Sequence, residues 1–156
     1  MKKILFAASL LAVLPMASAY SADVIDGWAR ASFSDQTRNG AAYMTITNPD
    51  TQDDSLLSAA SDIADVVEIH NMTFDEGVMR MFEVEKVEIP AGETIKFEPG
   101  SYHVMLMGLK KPLRIGETFD VILTFENAAE KIVPVEVHPR GGKTSPAGEK
   151  DRHHHH

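Results

Sequence analysis

The sequence predicts an all-β protein, built as a sandwich or barrel of short antiparallel strands. Apolar residues alternate with polar ones, or form short β-branched and aromatic runs, between regularly spaced turn residues. No stretch of ten or more residues shows the apolar period of a helix. Many short strands at regular spacing are typical of a sandwich or barrel. A length of 156 residues, 44% of them hydrophobic, is suited to one such domain.

Ten segments carry this strand pattern. They are Val24–Ser32, Ala42–Asn48, Ser55–Ala60, Asp65–Met72, Val78–Val84, Val87–Ile89, Thr94–Glu98, Tyr102–Leu109, Thr118–Phe125 and Lys131–Val137. Turn residues separate many of them. The sequence Asp75-Glu76-Gly77 lies between two of the segments and predicts a tight hairpin. Five aromatic residues are expected in the core: Trp28, Tyr43, Phe97, Phe119 and Phe125.

Residues 1–19 have the pattern of a secretory signal peptide. Lys2 and Lys3 precede the apolar stretch Ile4–Met16, and the small residues Ala17-Ser18-Ala19 form a cleavage site. The apolar stretch is short for a membrane span, although an N-terminal membrane anchor is the alternative interpretation. No other segment is apolar enough to cross a bilayer, so we expect no membrane insertion after cleavage. The protein is therefore expected to act outside the cytoplasm.

The charge of the chain excludes two classes of partner. The formal net charge is −8, and residues 1–19 contain two Lys and no acidic residue, so cleavage changes it to −10. Such an acidic protein is unsuited to nucleic acid, whose phosphates are bound by Lys and Arg. It is equally unsuited to anionic lipid surfaces.

The absence of cysteine narrows the chemistry. With no Cys, 8 Met and 7 His, the chain has no disulfide, no thiolate-bound zinc or iron–sulfur centre and no thiolate-bound blue-copper centre. Soft metals could be bound only by Met and His. No Ser-His-Asp spacing, paired-carboxylate motif or phosphate-binding loop is present, so we expect that the protein is not an enzyme.

Met and His residues concentrate in the middle of the chain, where strand periodicity aligns them. Three segments each place such residues on one face: His70 with Met72, Met79 with Met81, and His103 with Met105 and Met107. A single Met stripe usually fills a core, and a lone His is usually structural. Here, however, Val, Ile, Leu or Phe already supplies the opposite, apolar face of each strand. We therefore predict that the Met and His faces bind a metal.

Two imidazoles and two thioethers favour one metal ion in particular. Thioethers are soft, neutral ligands that select Cu(I), and four such ligands suit its tetrahedral geometry. We predict that His70, Met81, His103 and Met105 bind Cu(I). Met72, Met79 and Met107 are secondary candidates, either as metal ligands or as packing residues around the site.

The spacing of the four predicted ligands resembles the copper-binding signature of the periplasmic PCuAC-type copper chaperones. Ten residues separate His70 from Met81, twenty-one separate Met81 from His103, and one separates His103 from Met105. The surrounding sequence is also similar, at GWAR (27–30), AAYMTITN (41–48), VEIH (67–70) and IPAGETIKFEPGSYHVMLMGL (89–109). The resemblance extends over the chain from residue 20 to about residue 137.

The resemblance implies a cupredoxin-like Greek-key β-sandwich over residues 20–138, located in the periplasm. It implies that Cu(I) is delivered to the CuA centre of cytochrome c oxidase subunit II, often together with a Sco-type protein. We expect a monomer. Two alternatives remain open: a copper-buffering or resistance protein with no dedicated client, and a metal-free immunoglobulin-like interaction module.

The C-terminal residues 139–156 differ in composition from the rest of the chain. They are rich in Gly, Pro and charge and have no apolar periodicity, which predicts a disordered tail. The tail ends in His153, His154, His155 and His156. These residues are either a native metal-binding end, which the resemblance suggests would hold Cu(II), or the remnant of a purification tag.

Overall fold

The computed structural model describes residues 20–140. Residues 1–19, with the predicted signal peptide, lie outside the described residues. So does nearly all of the predicted tail, including His153–His156. Within residues 20–140, no helix is long and apolar enough to cross a membrane.

The described chain consists of ten strands joined by turns and loops. The strands are β1 (Asp23–Arg30), β2 (Asn39–Thr47), β3 (Asp54–Ala60), β4 (Ala64–Asp75), β5 (Val78–Glu83), β6 (Val87–Ile89), β7 (Thr94–Phe97), β8 (His103–Leu109), β9 (Thr118–Phe125) and β10 (Lys131–His138). Each predicted segment corresponds to one of them. The largest differences are at the start of β2 and the end of β4, each of which extends three residues beyond its prediction. The all-β prediction is confirmed.

The strands form one continuous hydrogen-bonded arrangement in the order β5-β4-β8-β2-β1-β10-β9-β3-β6, with β7 also paired to β2. All of these pairs are antiparallel except β1 with β10, which is parallel. The prediction of a wholly antiparallel arrangement was therefore wrong at this pair. Parallel neighbours need a long connection, and here the whole chain between the first and last strands supplies it. Periodicity within a strand carries no information about this pairing.

The sheet folds over to form a β-sandwich around one core. Strand β2 changes partners along its length, because Asn39–Ala42 pairs with β8 and Met44–Thr47 pairs with β7. Side chains from distant parts of the strand order, such as Ile69 of β4 and Leu56 of β3, belong to the same buried cluster. Strand β8 shows the predicted alternation, since Val104 and Leu106 are fully buried in this core.

Strands β4 and β5 form the predicted hairpin. Glu76 and Gly77 are its two turn residues, with φ angles of 49° and 82°, which is the arrangement of a type I′ turn. Ile69 is the last buried residue of β4, and the hairpin continues beyond it. All six residues of β5 are exposed.

The apolar face expected on β5 is not covered by the core, since Val78 and Phe82 are 53% and 45% exposed. The reason is positional, because β5 is an edge strand that pairs only with the part of β4 beyond the core. Among the five aromatic residues expected in the core, Tyr43, Phe97 and Phe125 are buried and Phe119 is partly buried. Trp28 is half-buried, and its ring lies 4.6 Å from that of Tyr43.

Candidate metal centre

Two histidines face each other where β4 pairs with β8. The register places His70 directly opposite His103. Their ring centroids are 5.8 Å apart, and the rings meet edge to face at 61°. His103 is 3% exposed, and the next residue, Val104, points in the opposite direction, into the core. The strand alternation therefore brings two imidazoles together on the side of the sheet away from the core.

Thioethers lie on the same side of the sheet as the two imidazoles. Met72 lies two residues beyond His70 along β4, and Met81 lies directly across from Met72 in the β4–β5 hairpin. Met105 follows His103 on the same face of β8. A surface cleft of about 280 Å³ has Met72, Met81, His103 and Met105 among its lining residues. The sulfur-bearing side chains of three strands therefore reach one cleft.

The hydrogen bond of His103 leaves one of its ring nitrogens available to a metal. Nδ1 lies 3.0 Å from the carbonyl oxygen of Ser101. A carbonyl only accepts, so Nδ1 carries the proton and donates it. Nε2 is then an acceptor, and it is buried with no hydrogen-bond partner within residues 20–140. Such an orphaned nitrogen costs stability unless a ligand occupies it.

His70 shows the same pattern with its two nitrogens exchanged. Its Nε2 lies 2.8 Å from Oε2 of Glu68, on the same strand. A carboxylate accepts, so Nε2 donates, and in the neutral ring Nδ1 keeps its lone pair. Nδ1 is buried and likewise has no partner in the described part of the chain. In metal sites, a carboxylate or carbonyl commonly orients the ligating histidine in this way.

Burial keeps His103 neutral. The loss of solvent around this ring lowers the pKa of His103 below its ordinary value of 6.5. The hydrogen bond to the Ser101 carbonyl opposes this shift, and the nearby charge of His70 adds to it. Near neutral pH the ring is therefore uncharged, which is the form that binds a metal.

A cation and a phenol ring border the cleft beside His103. The guanidinium carbon of Arg30 lies 5.9 Å from the centre of the Tyr43 ring, and the Tyr43 and His103 rings are 6.4 Å apart. Burial raises the pKa of Tyr43, and the charge of Arg30 partly offsets the shift, so the phenol stays neutral. Glu68, Arg30 and Tyr43 had no predicted role at the site. The i, i+2 spacing placed Glu68 beside His70, but no sequence signal indicated that Arg30 and Tyr43, on neighbouring strands, lie near the site.

The donor set fits a soft monovalent ion. Two buried imidazole nitrogens lack partners within residues 20–140, and neutral thioethers line the cleft beside His103, so Cu(I) bound by these groups would keep its single positive charge. Within residues 20–140, no group of three or more His, Cys, Asp or Glu residues could hold a metal ion.

Of the four predicted ligands, Met81, His103 and Met105 line the cleft. His70 is not among its lining residues, but its ring lies 5.8 Å from that of His103. The role of all four as ligands stays a prediction. Of the secondary candidates, Met72 also lines the cleft. Met107 and Met79 are not among its lining residues, since Met107 lies further along β8 and Met79 lies near the hairpin turn.

The sequence is similar to known proteins over most of its length. The family model described as "LpqE-like: Putative lipoprotein LpqE-like" matches residues 23–137. "Uncharacterized protein RP573" from Rickettsia prowazekii is 33% identical over 116 residues, which are 72% of this chain and 64% of the relative. The chain thus spans just under two thirds of that relative's length.

Two solved structures are similar in fold. The apo PCuAC domain of PmoF1 superposes with a TM-score of 0.66 at 24% identity, covering 79% of this chain and 98% of that domain. The solution structure of Cu(I)-DR1885 from Deinococcus radiodurans superposes with a TM-score of 0.58 at 31% identity. It covers 81% of this chain and 83% of DR1885.

Proposed function

The chain belongs to the LpqE-like family and is of the PCuAC type, and on this premise we propose that it is a copper chaperone that carries Cu(I). The resemblance found in the sequence and the cupredoxin-like β-sandwich are both confirmed. We propose that Cu(I) is cargo, bound by His70, Met81, His103 and Met105 and then released. In this role the protein catalyses no reaction.

One observation carries the proposal. Nδ1 of His70 and Nε2 of His103 are both buried, both without a partner within residues 20–140, and belong to rings 5.8 Å apart. The other nitrogen of each ring is held by Glu68 or by the Ser101 carbonyl, so both lone pairs are fixed in place. A metal ion bound by both nitrogens would satisfy two buried acceptors at once.

The thioethers suit a chaperone better than a storage site. Met81 is 48% exposed, so an acceptor could reach one ligand of the bound ion without unfolding the protein. Thioethers are neutral and bind less strongly than thiolates, so a Cys-containing acceptor could take the ion by ligand exchange. Copper would stay in the +1 state throughout: each bond to a thioether or imidazole of this chain would break as a bond to the acceptor forms, and each acceptor thiol would release its proton to solvent as it binds.

We propose the CuA centre of cytochrome c oxidase subunit II as the destination, with a Sco-type protein taking part in the transfer. The protein would act as a monomer in the periplasm after removal of residues 1–19. The family description "putative lipoprotein" supports an exported protein. If His153–His156 are native, they would add a Cu(II) site outside the domain.

Titration with Cu(I) tests the site. Wild-type protein should bind one tight equivalent in competition with a Cu(I)-specific chelator, and the variant M81A/M105A should lose at least a hundredfold in affinity. The matched control is M107A, which removes a thioether from the same face of β8 but outside the cleft, and it should bind as the wild type does. Unchanged affinity and stoichiometry in M81A/M105A would refute the assignment.

Transfer tests the destination. Mixing the Cu(I)-loaded protein with an isolated apo-CuA domain, with a Sco-type protein and an oxidant supplied to complete the mixed-valence centre, should produce the visible absorption of CuA. Tight Cu(I) binding without any transfer would instead favour a copper-buffering protein. A chain that binds no Cu(I) and shows no thermal shift on its addition would favour a metal-free interaction module.

A further inference from the structure

Three thioethers share one face of the β4–β5 hairpin. Met72 lies opposite Met81, and the next pair on the same face is Phe74 with Met79. Side chains at i and i+2 of a strand, and directly paired side chains of neighbouring strands, lie on the same side of a sheet. The three sulfur-bearing side chains therefore form a patch that runs from the cleft toward the turn.

Packing does not account for this patch. Met79 is 67% exposed and Met81 is 48% exposed, and neither belongs to the buried core. Phe74, which is paired with Met79, is 73% exposed. Exposed apolar groups in one place usually mark a site of interaction, and exposed Met is also vulnerable to oxidation. An edge strand serving structure alone would more commonly carry polar side chains.

We propose that Met72, Met79 and Met81 form a second, outer Cu(I) site through which the ion enters and leaves the His-containing site. The inference rests on the proposed function. Three neutral thioethers can hold Cu(I) without changing its charge. Because Met81 belongs to both sites, the ion can move inward by exchanging the Met79 and Met72 sulfurs for the imidazoles and Met105. No proton or electron is transferred in this step.

The two sites should differ in their affinity for Cu(I). The inner site offers two buried imidazole nitrogens that have no partner among residues 20–140, whereas the outer site offers only thioethers on an exposed hairpin. The outer site should therefore bind Cu(I) more weakly and act in transit. Arg80 pairs with Thr73 on the opposite face of the hairpin, so its positive charge points away from the patch.

Methyl NMR with Ag(I), a redox-inert substitute for Cu(I), tests whether the patch binds the ion. The protein as a full chain, labelled at the Met methyl groups, is titrated beyond one equivalent. The Met79 methyl should shift together with those of Met72 and Met81. The fully buried Met44 is the internal control and should not move. A Met79 resonance that stays unchanged while Met81 shifts would overturn the proposal.

Rates of copper exchange test the role in transit. The variant M79A replaces an exposed side chain and should fold as the wild type does. The affinity of the inner site, measured with one equivalent of Cu(I), should stay within twofold of the wild-type value. The rate at which a Cu(I) chelator removes that ion should fall by fivefold or more. The matched control M107A should exchange at the wild-type rate. Equal rates for M79A and the wild type would overturn the proposal.

Removal of the inner imidazoles separates this proposal from the function it rests on. The double variant H70A/H103A, with His153–His156 also replaced by Ala, should retain weak Cu(I) binding that is constant between pH 5 and pH 8, because thioethers do not take up protons. Adding M79A to that background should abolish the residual binding. If wild-type protein binds tightly and M79A leaves the residual binding unchanged, the outer site is refuted and the inner site stands. If wild-type protein binds no Cu(I), both proposals are refuted.

Discussion

Replacing Glu68 with Ala should weaken Cu(I) binding about tenfold while leaving the fold intact. The carboxylate of Glu68 accepts a hydrogen bond of 2.8 Å from Nε2 of His70 and thereby aims Nδ1 at the site. Loss of such an orienting partner typically costs 10- to 100-fold in metal affinity. The two side chains are 29% and 14% exposed, so water can partly replace the carboxylate. The loss should therefore fall at the lower end, about 1.4 kcal/mol.

Two further variants make the comparison specific. E68Q keeps a carbonyl oxygen that can accept from Nε2, so it should lose only about threefold. E83A is the matched control, because Glu83 also pairs with His70 across the hairpin, whereas the hydrogen bond to the His70 ring comes from Glu68. Its affinity should equal that of the wild type.

The assay is competition with a Cu(I)-specific chelator at pH 7 in the absence of oxygen, with thermal unfolding of each apo-protein as the check on folding. Equal affinities for E68A and the wild type would refute the role of the hydrogen bond. A loss in E83A as large as that in E68A would show that only the negative charge near the site matters.

Two predictions concern the apo-protein. NMR titration of His103 should give a pKa below 6.5, and a pKa above 6.5 would contradict this. Because the unfolded chain takes up this proton more readily, the contribution of His103 to the free energy of unfolding should be complete above pH 6.5 and fall as the pH is lowered. L106A, at a side chain that is fully buried, should lower the free energy of unfolding by about 2–5 kcal/mol in urea titration, whereas M107A on the opposite face should cost less than about 1 kcal/mol; equal losses would mean that the two faces of β8 are wrongly assigned.

Strand periodicity was sufficient to predict much of the fold. Alternation along residues 103–107 placed Val104 and Leu106 in the core and the Met and His side chains on the other face, as the structure has them. The hairpin at Glu76 and Gly77 was equally predictable, because Gly77 follows two acidic residues between strand segments and readily adopts the positive φ angle that such a turn requires. These features depend on neighbours in sequence, which is why local patterns indicate them.

Features that depend on distant neighbours were not predictable in the same way. The parallel pairing of β1 with β10 joins the two ends of the domain. The exposure of Phe82 follows from the position of β5 at an edge beyond the core. At the site, the spacing indicated which side chains share a face, but the approach of Arg30 and Tyr43 to His103 depends on the pairing of β1, β2 and β8.

X-ray absorption at the copper edge of protein loaded with one equivalent of Cu(I) tests the central claim most directly. The account predicts a Cu(I) ion with two nitrogen and two sulfur neighbours, supplied by the rings of His70 and His103 and the thioethers of Met81 and Met105. A first shell made of sulfur alone, or of nitrogen and oxygen without sulfur, would contradict it.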